Sequence, residues 1–212
     1  MSEFIETNSI VLRKTDYSES SLIVSVLTAD YGKKSFILKG ARRVKKNKTP
    51  TIDYFRLINL LYKEHASKSL CLIREAECIR DFYSITADLK KVNTGLWLCR
   101  FIEINVEEND PLPHTYNALL ITFEKFSAPQ KALNLLFAYY VGVILVFLKE
   151  NGFINHDKLT HEMKSVNIFM EIFETEKIPE LSAFDRKKIL NWLFDFLKYF
   201  DMKVPSKPQL NF

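Results

Sequence analysis

Glycine is scarce, with five among 212 residues. That shortage argues against an all-β chain of this length, whose turns call repeatedly on residues that tolerate positive φ. Neither a G-x-x-x-x-G-K-[ST] loop nor a G-x-G-x-x-G run occurs, so the common phosphate cradles are missing. The G-x-S-x-G nucleophile elbow is missing as well, and no cysteine carries a local Cys–His signature. The three cysteines, Cys71, Cys78 and Cys99, are odd in number and lack metal-type spacing, so each is read as a small apolar group. Of the four histidines, His65, His114, His156 and His161, only those in "HDKLTHE" resemble a ligand cluster. His156 and His161 are five apart, which does not stack them on one helix face, and the stretch is read as a polar connection. The opening residues, with Glu3 and Glu6, lack the apolar run of a secretory signal. The expectation is a cytoplasmic protein without metal or cofactor and without an enzyme's catalytic constellation.

Long uncharged runs are also few. Ala132 to Leu148 is one, short of the roughly 20 apolar residues of a membrane span. Asn134, Tyr139, Tyr140 and Gly142 interrupt it, and Lys131 and Lys149 bound it. It reads as a central helix buried on all sides by its neighbours.

What is present divides into two halves. "SIVLRKT" (9–15), "SLIVSVLT" (21–28), "KSFILKG" (34–40), "YFRLINLLYK" (54–63) and "SLCLIREAEC" (69–78) read as five strands, with Gly32 in a turn and "EHAS" (64–67) as a hairpin connection. Five strands in about 80 residues fit a small closed barrel of the OB type, and an SH3-like barrel has a similar strand count. From about residue 84 the apolar period becomes helical, with Leu89, Val92, Leu96, Cys99 and Ile102 as one stripe. Further helices are expected in "HTYNALLITFEKF", from Pro129 to a C′ glycine at Gly152, in 165–177, and in 185–200 with Asp185 as N-cap. The tail from Met202 is expected to be loose. The fold class is therefore α+β, an N-terminal five-stranded OB barrel (1–82) followed by an all-α C-terminal domain (83–212).

Charge follows the same division. Residues 1–80 hold 15 Lys/Arg against 9 Asp/Glu, whereas residues 81–212 hold 15 against 17. The excess centres on "KGARRVKKNK", where Lys39, Arg42, Arg43, Lys45, Lys46 and Lys48 stand without an acid. Charge so placed points to a polyanion, nucleic acid before membrane. Arg13, Lys14, Lys33 and Lys34 lie in strand contexts of the same barrel and join these six as candidate DNA-binding residues. Lys63, Lys68 and Arg74 could line the barrel too, and Tyr17, Phe36, Tyr54, Phe55 and Tyr62 supply aromatics that could stack on bases.

The ordered series "SIVLRKTDYSESSLIVSVLTADYGKKSFILKGARR" resembles the N-terminal signature of the RecO family of bacterial recombination mediators, and "SLCLIREAECIRDF" resembles that family's last barrel strand. The resemblance implies binding of single- and double-stranded DNA and annealing of complementary strands. It also implies RecA loading, together with RecR, on DNA coated by the single-stranded-DNA-binding protein (SSB), in the bacterial cytoplasm at the nucleoid. It further implies that the SSB C-terminal tail contacts the helical half, for which Arg100, Lys125 and Lys131 are candidates. Many members carry a four-cysteine zinc module after the long helix. "NGFINHDKLTHEMKSV" has no cysteine, so no zinc is expected. The alternative class is an OB-fold RNA- or protein-binding module with a helical interaction half.

Overall fold

The computed structural model describes residues 4–41, 51–63, 70–129, 133–154 and 167–206. Five strands, β1 (Phe4–Asp16), β2 (Leu22–Thr28), β3 (Gly32–Leu38), β4 (Arg56–Lys63) and β5 (Cys71–Asp81), close into a barrel in the order β1-β2-β3-β5-β4. The lower half of β1 pairs antiparallel with β4 and its upper half with β2, while β3 runs parallel to β5 through Phe36↔Cys71 and Ile37↔Leu72. That parallel closure is the OB arrangement rather than the SH3-like one. β1 begins five residues before the expected start at residue 9. After Ile5, its early inward positions Thr7 and Ser9 are hydroxyls, which interrupt the apolar period. Thr7 Oγ1 donates to Asp30 Oδ2 at 3.1 Å, and Ser9 Oγ donates to the Ile58 carbonyl at 3.1 Å. The "EHAS" connection lies outside the described residues.

Two apolar cores share β1. Val11 points inward with Val24, Val26, Phe36, Ile58, Leu60, Tyr62 and Cys71 to fill the barrel. Ile10 and Leu12 point outward into the helical core, as period-2 alternation requires. A bulge between Val11 and Arg13 sharpens the bend that makes this possible.

A 3₁₀ turn (Tyr83–Ala87) leads to α1 (Leu89–Asn105), α2 (Pro113–Ser127), α3 (Leu133–Glu150), α4 (Ile168–Thr175) and α5 (Ala183–Tyr199). Asp88 caps α1 by accepting from the Lys90 and Lys91 amides. The buried face of α1 differs from the expected stripe: Leu89 is 77% exposed, and the face is centred on Gly95, Leu98, Phe101 and Ile102. Leu89 opens the first turn, where no neighbouring element covers it. α3 is the expected central helix. It packs against α1, α2 and α4, and 72% of its most apolar window is buried. Asn134, the polar interruption near its start, accepts from Arg186 of α5 at 2.7 Å. Gly142 lies so close to α4 that a Cβ there would meet the Phe169 carbonyl oxygen. α3 ends at Gly152 (φ +76°) in a Schellman arrangement, with Phe153 N–H reaching the Leu148 carbonyl and Gly152 N–H reaching that of Lys149.

Two further expectations are corrected. The N-cap of α5 is Ser182, not Asp185, which is the third residue of a reciprocal capping box with Ser182. Nor is the chain loose directly after α5. The Met202 N–H bonds to the Leu197 carbonyl, and Lys203 exchanges two hydrogen bonds with the Asn105 side chain.

Candidate nucleic-acid interface

One end of the barrel is occupied. Gly32, at φ +68°, lies against the Asp110 backbone, where a Cβ would overlap it. Asn109 N–H bonds to the Lys33 carbonyl at 3.0 Å, and Ser35 Oγ donates to Glu108 at 2.7 Å. The chain following α1 is thus seated on β3. The opposite end gathers the β1–β2 connection (17–21), the exit of β3 at Lys39–Ala41 and the entry to β5 at Leu70, because Leu22 pairs with Leu38 and Phe36 with Cys71. The basic segment begins with Lys39 at this second end. Its Arg42, Arg43, Lys45, Lys46 and Lys48 lie outside the described residues, as do Lys68 and Lys131.

The strand cations are largely engaged within the protein. Lys33 Nζ donates to the Glu103 carbonyl at 3.0 Å and to that of Val106, satisfying the C-terminal end of α1. Arg13 meets Glu103 at 3.6 Å, and Arg100 pairs with the same carboxylate. A candidate DNA contact and a candidate partner contact therefore share one acid. Lys14 pairs with Asp53, and its amide donates to Tyr54 Oη at 3.0 Å. Burial raises the Tyr54 phenol above its ordinary pKa, partly offset by that backbone hydrogen bond. Lys34 is buried, its ammonium 6.0 Å from the Tyr31 ring centroid. Lys125 pairs with Glu176 at 2.8 Å. Lys39 is exposed.

The aromatics sort differently from the sequence reading. Phe36, Phe55 and Tyr62 are core side chains and cannot receive a base, Tyr54 is half-buried, and Tyr17 is 58% exposed in the β1–β2 connection. Sequence reasoning missed Phe4, which lies on the outer wall of the barrel, 44% exposed. Its ring centroid is 5.6 Å from Lys63 Nζ and 4.8 Å from the Arg74 guanidinium carbon. The signal was available only through register, since Phe4 faces Lys63 directly across the β1–β4 pair.

Around this second end, the described residues carry Asp16, Glu19 and Asp53 against Lys14 and Lys39, so the positive excess of the sequence there belongs to residues 42–48, which lie outside the described residues. Elsewhere, a groove of about 730 Å³ between α2, α3 and α4 has an apolar floor of Ala118, Ile121, Val146 and Met170, with Glu171 and Glu174 along it. No group of three metal-ligating side chains stands together among the described residues, and the histidines of "HDKLTHE" fall outside them.

Residues 1–82 match the family model described as "Recombination protein O N terminal". Among similar proteins, the DNA repair protein RecO of Salinibacter ruber is 25% identical over 135 residues, covering 64% of this chain and 52% of that protein. The RecO of Rhodopirellula baltica is 32% identical over 103 residues, covering 49% and 38%. The RecO of Chlorobium phaeobacteroides is 26% identical over 148 residues, covering 70% and 56%. The chain spans about half the length of the curated relatives it matches. With its barrel closed in the OB order and its first 82 residues matched to that model, the N-terminal part of the chain is a RecO-type N-terminal domain, and the chain is similar to DNA repair proteins RecO over up to 70% of its length.

Proposed function

We propose that this chain is a DNA-binding recombination mediator. It binds single- and double-stranded DNA, anneals complementary strands, and helps load RecA, together with RecR, onto SSB-coated DNA in the cytoplasm at the nucleoid. Residues 1–82 act as the nucleic-acid-binding domain and residues 83–212 as the helical domain. The observation that carries the reading is where the basic segment begins: Lys39, the first of six cations without an acid, follows β3 at the barrel end opposite the Gly32–Asp110 contact. The mechanism is charge neutralisation. Cations between Lys39 and Lys48 screen the phosphates of two strands so that complementary bases can pair, and no covalent bond is made or broken. Arginine forks at Arg42 and Arg43 suit bidentate phosphate contact.

Of the candidate DNA contacts, Lys39 and the segment cations carry most of the phosphate binding in this reading, while Lys33 holds the barrel to α1. An SSB tail, an acidic peptide ending in a hydrophobic residue, would meet Glu150, Glu171 and Glu174 against Lys149 alone in the α2–α4 groove, an excess of like charge. Arg100 and Lys125 therefore remain the proposed contacts within the described residues. Their ion pairs are partly exposed and exchange at little cost.

The test is the annealing rate of complementary oligonucleotides coated with SSB. Fast annealing by the wild type that collapses in R42E/R43E/K45E/K46E supports the mediator reading. Binding of naked strands without annealing, or preferential binding of RNA in competition, supports the OB-module alternative instead.

A further inference from the structure

The outer wall of the barrel carries a row of neighbours that no single stretch of sequence shows. Ile37 of β3 pairs with Leu72 of β5, Leu72 with Lys63 of β4, and Lys63 with Phe4 of β1. The inward residues beside them, Phe36, Cys71 and Tyr62, fill the barrel, so these four face outward. Leu72 and Phe4 are large apolar side chains, 48% and 44% exposed. Between Leu61 and Tyr62 the β4–β5 register shifts, which leaves Arg74 as an extra residue on β5 and Arg74 and Glu75 as consecutive exposed positions. The bulge brings the Arg74 guanidinium over the Phe4 ring at 4.8 Å, with Lys63 at 5.6 Å. The charge on Arg74 is only loosely met by Glu75, at 3.6 Å with both side chains largely exposed. The row ends at Ile37, two residues before Lys39, where the basic segment begins.

We infer that Phe4, flanked by Lys63 and Arg74, is a base-stacking contact for an unpaired DNA strand, with those two cations beside the strand's phosphates. The inference rests on the DNA-binding reading above and deepens it by naming what distinguishes one strand from two. An exposed cation–π contact is worth less than a base stacked on an aromatic ring, so an arriving base displaces one cation from Phe4 and frees it for the neighbouring phosphate. A paired base has both faces covered in the duplex and offers Phe4 nothing, leaving phosphate attraction alone. Stacking on Phe4 therefore gives annealing a direction: unpaired strands are gripped by base and phosphate, and the duplex product is released from the former.

The experiment measures the affinity of the full chain, as wild type, Phe4→Ala and Phe4→Trp, for oligo(dT), an abasic strand of equal length and a duplex. Loss of one stack predicts that Phe4→Ala weakens oligo(dT) binding about tenfold, while duplex and abasic affinities stay within about twofold and Phe4→Trp restores the wild-type value. Equal oligo(dT) affinity in wild type and Phe4→Ala overturns the inference and leaves the DNA-binding reading standing. An equal loss on all three ligands also overturns it, because the ring would then be structural. A wild type that binds none of the three removes the DNA-binding reading itself, and the stacking contact with it.

Discussion

Lys33 shows how residue type and residue role separate. In the sequence it stands beside Lys34 in a basic half of the chain, a reasonable phosphate contact. In the fold its ammonium satisfies two carbonyls at the end of α1, 70 and 73 positions away. Lys91 does the same for α2, donating to the Phe126 and Ala128 carbonyls at 2.7 and 2.6 Å while 5% exposed. No local pattern announces such partners, because the acceptors are backbone groups brought near by tertiary packing. Lys33→Met should lower stability by about 1–3 kcal/mol, the cost of orphaned buried carbonyls, with the salt dependence of DNA binding unchanged. Urea unfolding and a salt titration check the two halves of that statement.

Burial also fixes the alkaline behaviour. It pushes the Cys99 thiol from 9.0 up to about 12, and the Tyr116 and Tyr139 phenols from 10.0 up to about 12. Above pH 9 the unfolded chain therefore sheds protons that the folded chain keeps, so stability falls as pH rises, first through Cys99 and past pH 10 through the tyrosines as well. Each group contributes a slope of up to about 1.4 kcal/mol per pH unit. Urea midpoints at pH 8, 9.5 and 11 should decline in that order. Cys99→Ala should lose most of the decline between the first two.

At the scale of elements, the sequence was legible where one residue type carries one signal. The strands after β1 lie within a few residues of their expected bounds, and the uncharged run became the central helix. Where the signal is shared, the reading moved. The apolar stripe of α1 is rotated because Gly95, which carries no hydropathy of note, is the point of closest approach to Phe55. Ser182 caps α5 from three residues before the expected Asp185, both of them residue types that favour the position. Ser182→Ala should cost about 1 kcal/mol, read as a lower urea midpoint. Gly142→Ala should cost about 1–3 kcal/mol by forcing α4 away from α3, although alanine is the better helix former in isolation. A stabilised Gly142→Ala would show that the two helices part without strain.

At the scale of the molecule, the chain after α1 is seated on one end of the barrel, and β3 delivers Lys39, where the basic run of the sequence begins, to the opposite end. The division into a basic half and a slightly acidic half was readable from composition. The facing of the barrel was not, because it depends on Gly32 meeting Asp110 across 78 residues. The proposed separation of roles, with Lys14, Lys33 and Lys34 engaged in the fold and the segment cations carrying most of the phosphate contact, is the central claim. Its most direct test is the slope of log K against log[salt] for single-stranded DNA, compared between wild type and R42E/R43E/K45E/K46E. If four to six cations contact phosphates, the wild-type slope should be about −3 to −4, and charge reversal should flatten it by roughly two units or more. An unchanged slope in the variant would contradict the account, because the phosphates would then be held by cations outside the segment.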